Sequence, residues 1–155
     1  MLVGIMSDTH DNMDNLRKAV RIFNNSKVSI ALHAGDFTSG FTFRVLKDLD
    51  AEFIGIFGNN DGDVFFLSKM SSNRIYKQPY QLIIEDKKII MIHEHHLVEP
   101  LCASSRYDIL IYGHTHTAKI EKINNTLTIN PGECCGWLHE NPSIALTATV
   151  VIKNM

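Results

Sequence analysis

After Met1 the chain runs Leu2-Val3-Gly4-Ile5-Met6 and then turns polar at Ser7-Asp8-Thr9-His10. A short apolar run that ends in turn-type residues reads as a buried strand, with Asp8-x-His10 hanging from its carboxyl end. Just downstream, Asp11 or Asn12 can cap a helix on which Leu16, Ala19, Val20 and Phe23 fall at i, i+3, i+4 and i+7, one apolar stripe. The pattern then repeats: a strand over 28–32, a helix over 43–49, a strand over 53–57 and a short helix over 63–70. Repeated β-α units imply parallel strands joined by right-handed crossovers.

The second half changes character. Residues 80–84 and 88–92 are β-rich runs around Glu85-Asp86-Lys87, and residues 119–123 and 126–129 flank Asn124-Asn125; both are hairpin signals. A short helix is expected over 98–104, a strand over 108–112 and a closing strand over 145–152. No linker, repeat or low-complexity tract interrupts the chain. Residues 1–155 therefore read as one α/β domain, parallel early and mixed or antiparallel late.

Composition bounds the function. At 155 residues, 45% hydrophobic and 21% charged, the chain has the balance of a soluble globular domain. A net charge of −2 advertises no basic field for nucleic acid or an anionic membrane, although bound cations would alter the local charge. No apolar run approaches the roughly 20 residues of a membrane span. The first strand lacks the basic flank and length of a signal peptide. Cys102, Cys134 and Cys135 form no disulfide framework, and a reducing cytoplasm is the expected setting. With no CxxC spacing, the Cys134-Cys135 pair reads as small apolar residues under a turn ahead of a metal or redox site.

The polar residues at the strand ends carry the chemistry. Five strands deliver metal-type ligands there: Asp8 and His10, Asp36, Asn59, His93, then His114 and His116. In α/β sheets the carboxyl ends of strands are where ligands bind. Asp8-x-His10 and His114-x-His116 each place two ligands two residues apart, which in extended backbone would put both on one face. A carboxylate such as Asp36 can bridge two cations, and mixed imidazole and carboxylate donors suit Mn, Fe, Zn, Ni or Co better than Ca or Mg. Any one of these pieces alone is weak, since a strand-end Asp is usually a helix cap. Their joint occurrence argues for a metal site.

The segments SDTH (7–10), HAGD (33–36), GNND (58–61), IHEHH (92–96), YGHTH (112–116) and INPGE (129–133) follow one another in this order. The pattern resembles the calcineurin-like metallophosphoesterase superfamily, and within it the small single-domain phosphodiesterases of bacteria and archaea, over nearly the whole chain. That resemblance implies an α/β four-layer sandwich, two mixed sheets flanked by helices. It implies one metal held by Asp8, His10, Asp36 and His116 and a second held by Asp36, Asn59, His93 and His114, with Asp36 bridging. Manganese is the first expectation among Mn, Ni, Zn, Fe and Co. Two cations roughly 3.5–4 Å apart would share a hydroxide that attacks phosphorus in line.

Some positions depart from the superfamily's pattern. Where many members have a His after the metal-binding Asn, this chain has Asn60, whose amide donates a hydrogen bond but delivers no proton near neutral pH. His95 and His96 are nearby candidates for that task. Glu94 stands where Gly is commoner and either faces solvent or repels part of the substrate range. His33 can pack or support a ligand, Asp11 reads as a cap, Asp61 as a cap or an orienting group, and Glu133 as support. Trp137 and His139 receive no role.

The expected activity is therefore hydrolysis of a small phosphodiester or a nucleotide at an open site, in the cytoplasm, by a protein that family analogy makes a homodimer or tetramer. A retromer sorting subunit has this fold with a degenerate metal site and works as a scaffold, so a non-catalytic binding module is the alternative. The filled ligand positions argue against it. A nuclease is a third reading, weakened by the missing basic patch.

Overall fold

Alternation along the strands sorts the side chains into layers. The structure, a computed structural model, describes residues 1–148. In β1 (Leu2–Met6), Val3 and Ile5 pack into one core and Met6 into another. Beside it β2 (Ile30–His33) and β3 (Glu52–Ile56) run parallel, with Ile5 opposite Leu32 and Leu32 opposite Ile54. A two-residue strand, β4 (Ile75–Tyr76), adds parallel to β3.

The second sheet is built from β5 (Tyr80–Ile84), β6 (Lys87–Met91), β7 (Ile109–Ile111), β8 (Lys119–Ile123) and β9 (Thr126–Asn130). Its order is β5-β6-β7-β9-β8, antiparallel at both margins and parallel in the middle. The last described strand, β10 (Ala145–Ala148), returns to the first sheet, antiparallel to β1, giving the order β10-β1-β2-β3-β4. Both sheets are mixed. Residues 149–152, the remainder of the expected closing strand, lie outside the described residues.

Three apolar cores separate four layers. α1 (Met13–Asn25), α2 (Phe43–Leu46) and α3 (Val64–Met70) cover one face of the first sheet, burying Leu16, Val20, Phe23, Phe43 and Leu67 with Met6 and Ala31. Phe23 lies so close over β1 that a Cβ on Gly4 would stand 2.8 Å from its ring. Between the sheets, Val3, Ile5, Leu32 and Ile56 meet Ile89, Met91, Ile109 and Ile111. On the far side Ile90, Ile92, Leu110 and Tyr112 pack under α4 (Val98–Ala103) with Val98 and Cys102. The result is the α/β/β/α sandwich expected from the resemblance. No helix of the described residues is long and apolar enough to cross a membrane.

Several local expectations need correction. The helix expected over 43–49 is α-helical only to Leu46, because Asp48 and Leu49 donate to carbonyls three residues back and tighten the final turn. Asn12, and not Asp11, caps α1, accepting from Asn15 N at 3.2 Å, while Asp11 accepts from the Ser39 hydroxyl. Asp63 caps α3, which frees Asp61 for another task.

Candidate metal centre

The loops after β1, β2, β3, β6 and β7 bring seven side chains together at one end of the two sheets. In the first group His10 Nε2 is 3.4 Å from His116 Nε2, 3.6 Å from Asp36 Oδ2 and 3.9 Å from Asp8 Oδ1. His116 Nε2 is 3.4 Å from Asp8 Oδ1. In the second, His93 Nε2 is 3.3 Å from Asp36 Oδ2, so Asp36 faces both groups. His114 Nδ1 is 2.9 Å from Asn59 Oδ1, and its ring stands edge-on to that of His93 with centroids 5.3 Å apart.

These positions fit a cation. His93 Nδ1 is 2.7 Å from the Ala34 carbonyl, which can only accept, so Nδ1 carries the proton and Nε2 presents a lone pair. That Nε2 is buried and has no hydrogen-bond partner among the described residues. His116 repeats the arrangement: its Nδ1 donates to Glu133 Oε2 at 2.7 Å and its Nε2 faces the cluster. Ligating histidines are oriented in this way by their other ring nitrogen. Donor spacings of 3.3–3.9 Å suit oxygen and nitrogen ligands at the roughly 2.0–2.2 Å of transition-metal sites. Asp8, Asp36 and His93 converge within 4.8 Å of one another, and so do His10, His116 and Cys135.

The electrostatics agree. Burial would raise the Asp36 carboxyl, but His93 and the two bonds from Asn60 hold it well below the usual range. Burial raises Asp8. Burial alone would lower His93; contact with Asp36 and the Ala34 carbonyl raises it instead. The same negative field that favours a proton there favours a metal ion.

Backbone strain concentrates at these residues. Asp8 (φ 52°), His10 (φ 39°), Asp36 (φ 62°), His114 (φ 67°) and His116 (φ 59°) all lie in the left-handed region. The DxH and HxH pairs therefore do not converge through extended backbone. Each strand ends first, and tight left-handed turns aim both ligands. Glycines make room: a Cβ on Gly58 would strike the Asp36 carboxylate, and Gly35 (φ 100°) has His93 Nδ1 2.6 Å from its notional Cβ.

A set of buried and half-buried groups holds the loops. Asp61 accepts from the backbone N–H groups of Phe37 (2.7 Å), Thr38 (2.8 Å) and Gly58 (2.7 Å), lashing the Asp36 and Asn59 loops together. His33 accepts from Gly35 N through Nδ1, so its Nε2 donates to Thr9 Oγ1 at 3.1 Å, joining the first two ligand loops while its ring stacks on Phe37. Glu133 accepts from His116, from the Cys135 thiol and from the backbone of Leu138 and His139. Cys135 is thus a protonated donor, its thiol pushed up to about 12 by burial. Gln78 Oε1 accepts from His93 N at 2.6 Å, and Asn130 Nδ2 donates to Gly113 O and Thr115 Oγ1. Of the INPGE segment the sequence reading singles out Glu133 alone; no pattern in the sequence points to Asn130 or Gln78.

Around the cluster the site is open. Asn59, Asn60 and His95 are exposed. Asn60 donates from its backbone and its amide to the two oxygens of Asp36, both at 2.8 Å. His95 stacks on His114 at 5.7 Å with an interplanar angle of 18°. Glu94 faces His96, 3.8 Å away, and is partly exposed. Grooves of about 440 Å³ beside His95 and Thr115 and about 280 Å³ beside His116 and His139 flank the cluster.

Comparison with known proteins agrees with this architecture. Residues 1–152 match the calcineurin-like phosphoesterase superfamily domain. The chain is 41% identical to phosphodiesterase MJ0936 of Methanocaldococcus jannaschii, over 96% of this chain and 93% of the relative. A solved structure described as a novel archaeal phosphodiesterase superposes with a TM-score of 0.90, at 41% identity, covering 96% of this chain and 94% of that one. Chaetomium thermophilum Vps29 shares the fold at 17% identity, with a TM-score of 0.77 over 98% of this chain and 82% of that one.

Proposed function

Because the chain belongs to the calcineurin-like phosphoesterase superfamily, we propose that it is a metal-dependent phosphodiesterase, one domain holding two divalent ions. Asp8, His10, Asp36 and His116 would hold one ion, and Asp36, Asn59, His93 and His114 the other. The donor set favours transition metals, manganese first among Mn, Ni, Zn, Fe and Co. When bound, such ions supply hydroxide at neutral pH and offset charge on the phosphoryl group. The substrate is a small phosphodiester or nucleotide, admitted by the open rim, and the setting is the cytoplasm. The observation that carries this reading is the buried Nε2 of His93, without a hydrogen-bond partner among the described residues and facing a carboxylate that also faces His10.

The protein's own groups do the rest. Asn60 steadies Asp36 with its backbone N–H and one amide hydrogen, which leaves its second amide hydrogen, and no titratable proton, to offer the substrate. Protonation of the leaving group then falls to His95, exposed and stacked against His114. Without that proton the site would serve good leaving groups best.

Hydrolysis of an aryl phosphodiester with added Mn²⁺, Ni²⁺ or Zn²⁺ tests the reading. Turnover that requires metal and disappears in His114→Ala is the expected result. A folded protein that binds metal yet turns over no diester with any of them would point instead to a binding module.

A further inference from the structure

Trp137 is the single tryptophan of the chain, 62% exposed, yet it is not free to wander. Its indole Nε1 donates to the backbone carbonyl of His10 at 3.3 Å. The residues that follow are fixed as well: the amides of Leu138 and His139 bond to Glu133, the carboxylate that orients His116. Gly136, at φ 69°, supplies the turn that brings the segment round. An exposed indole is thus pinned to the backbone of one metal-site residue and, through Glu133, to the side chain of another. Burial does not account for it, since Trp137 and Leu138 (66% exposed) contribute little to any core.

We propose that Trp137 is a substrate-positioning residue, a stacking platform at the rim for a planar heteroaromatic group on the phosphodiester, of which a nucleobase is the biological form. The proposal rests on the phosphodiesterase reading and narrows its substrate class. Large rigid aromatic side chains with a tethered polar end serve this purpose because they lose little conformational freedom on contact and offer a π-face to any base. The −2 net charge offers little to hold a long polyanion, so the match is one base and one phosphate.

Two diesters with the same p-nitrophenolate leaving group, one carrying thymidine and the other a methyl group, supply the test. Wild-type enzyme prefers the thymidine diester, and Trp137→Ala lowers the thymidine-to-methyl ratio of kcat/KM by about tenfold, through KM. Trp137→Phe keeps a ring but loses the indole N–H, and retains the preference. An unchanged ratio in Trp137→Ala overturns the proposal. So does an equal loss in both variants, which would mean that the bond to His10 is what matters. Adenosine monophosphate, but not ribose phosphate, should quench the single tryptophan's fluorescence in the metal-loaded protein; equal response to both also overturns it. This binding readout stands apart from turnover, so a protein that hydrolyses neither diester refutes the diesterase reading while the quench still judges the stacking.

Discussion

Glu133 gathers four donors on one buried carboxylate: an imidazole, a thiol and two backbone amides. Burial pushes it up, but these bonds outweigh burial and bring it down to about 2, so it is anionic wherever the protein is folded near neutrality. Glu133→Gln keeps the shape and removes the charge that makes His116 a good donor. It should weaken metal binding by about 10- to 100-fold, measured by competition with a chelator. His33 shows the opposite electrostatics. Its complete burial and the neighbouring His93 hold it well below its ordinary 6.5, and only the neutral ring fits its bonds to Gly35 and Thr9. Below pH 6.5 the unfolded chain takes up a proton there that the folded chain refuses, so stability falls as the pH drops. Unfolding free energies from urea titrations in chelator should fall for the wild type between about pH 7.5 and 5.5, by up to about 1.4 kcal/mol per pH unit from this residue, and His33→Gln should flatten that slope. The metal-type side chains were legible because they recur together at five strand ends, although DxH or GHxH alone is a weak signal. Asp61 was legible only as a cap or an orienting group, and Gln78 not at all, because their partners are backbone amides that exist only once the loops have taken their shape.

Where an element carries its own signals, sequence reading succeeded. α1 has a capping Asn12 and an apolar stripe, and Leu16, Ala19, Val20 and Phe23 are its buried residues. Asn12 does more than cap: its Nδ2 donates to the Cys135 carbonyl at 2.7 Å, as Asn15 Nδ2 does at 2.8 Å, tying the helix to the loop that carries Glu133. Asn12→Ala should therefore cost about 1–2 kcal/mol in urea unfolding. β4 escaped notice because Ile75 and Tyr76 are too short to show a period; only pairing with Gly55 and Ile56 makes them a strand. The left-handed turns at the ligands were equally invisible, since residue spacing is the same in an extended and a folded-back loop.

Across the whole molecule the candidate centre lies on the seam between the sheets, with Asp8, Asp36 and Asn59 from the first and His93, His114 and His116 from the second. A cation held there would join the two layers and stabilise the folded state alone. At a hundred times its dissociation constant it should add about 2.7 kcal/mol, raising the thermal midpoint by roughly 5–10 °C for a chain of this size. Scanning calorimetry with and without Mn²⁺ measures this shift, and His114→Asn, which leaves the four residues around the other ion intact, should shrink it. The left-handed ligands carry a genetic consequence. Asp8, His10, Asp36, His114 and His116 sit in a conformation that asparagine tolerates about as well as aspartate and histidine do. The codons for both residues lie one base from those for asparagine. A single nucleotide change can thus replace a candidate ligand by a weaker, neutral donor while leaving the turn at ease. Loss of the metal centre proposed above would therefore not require loss of the architecture that surrounds it.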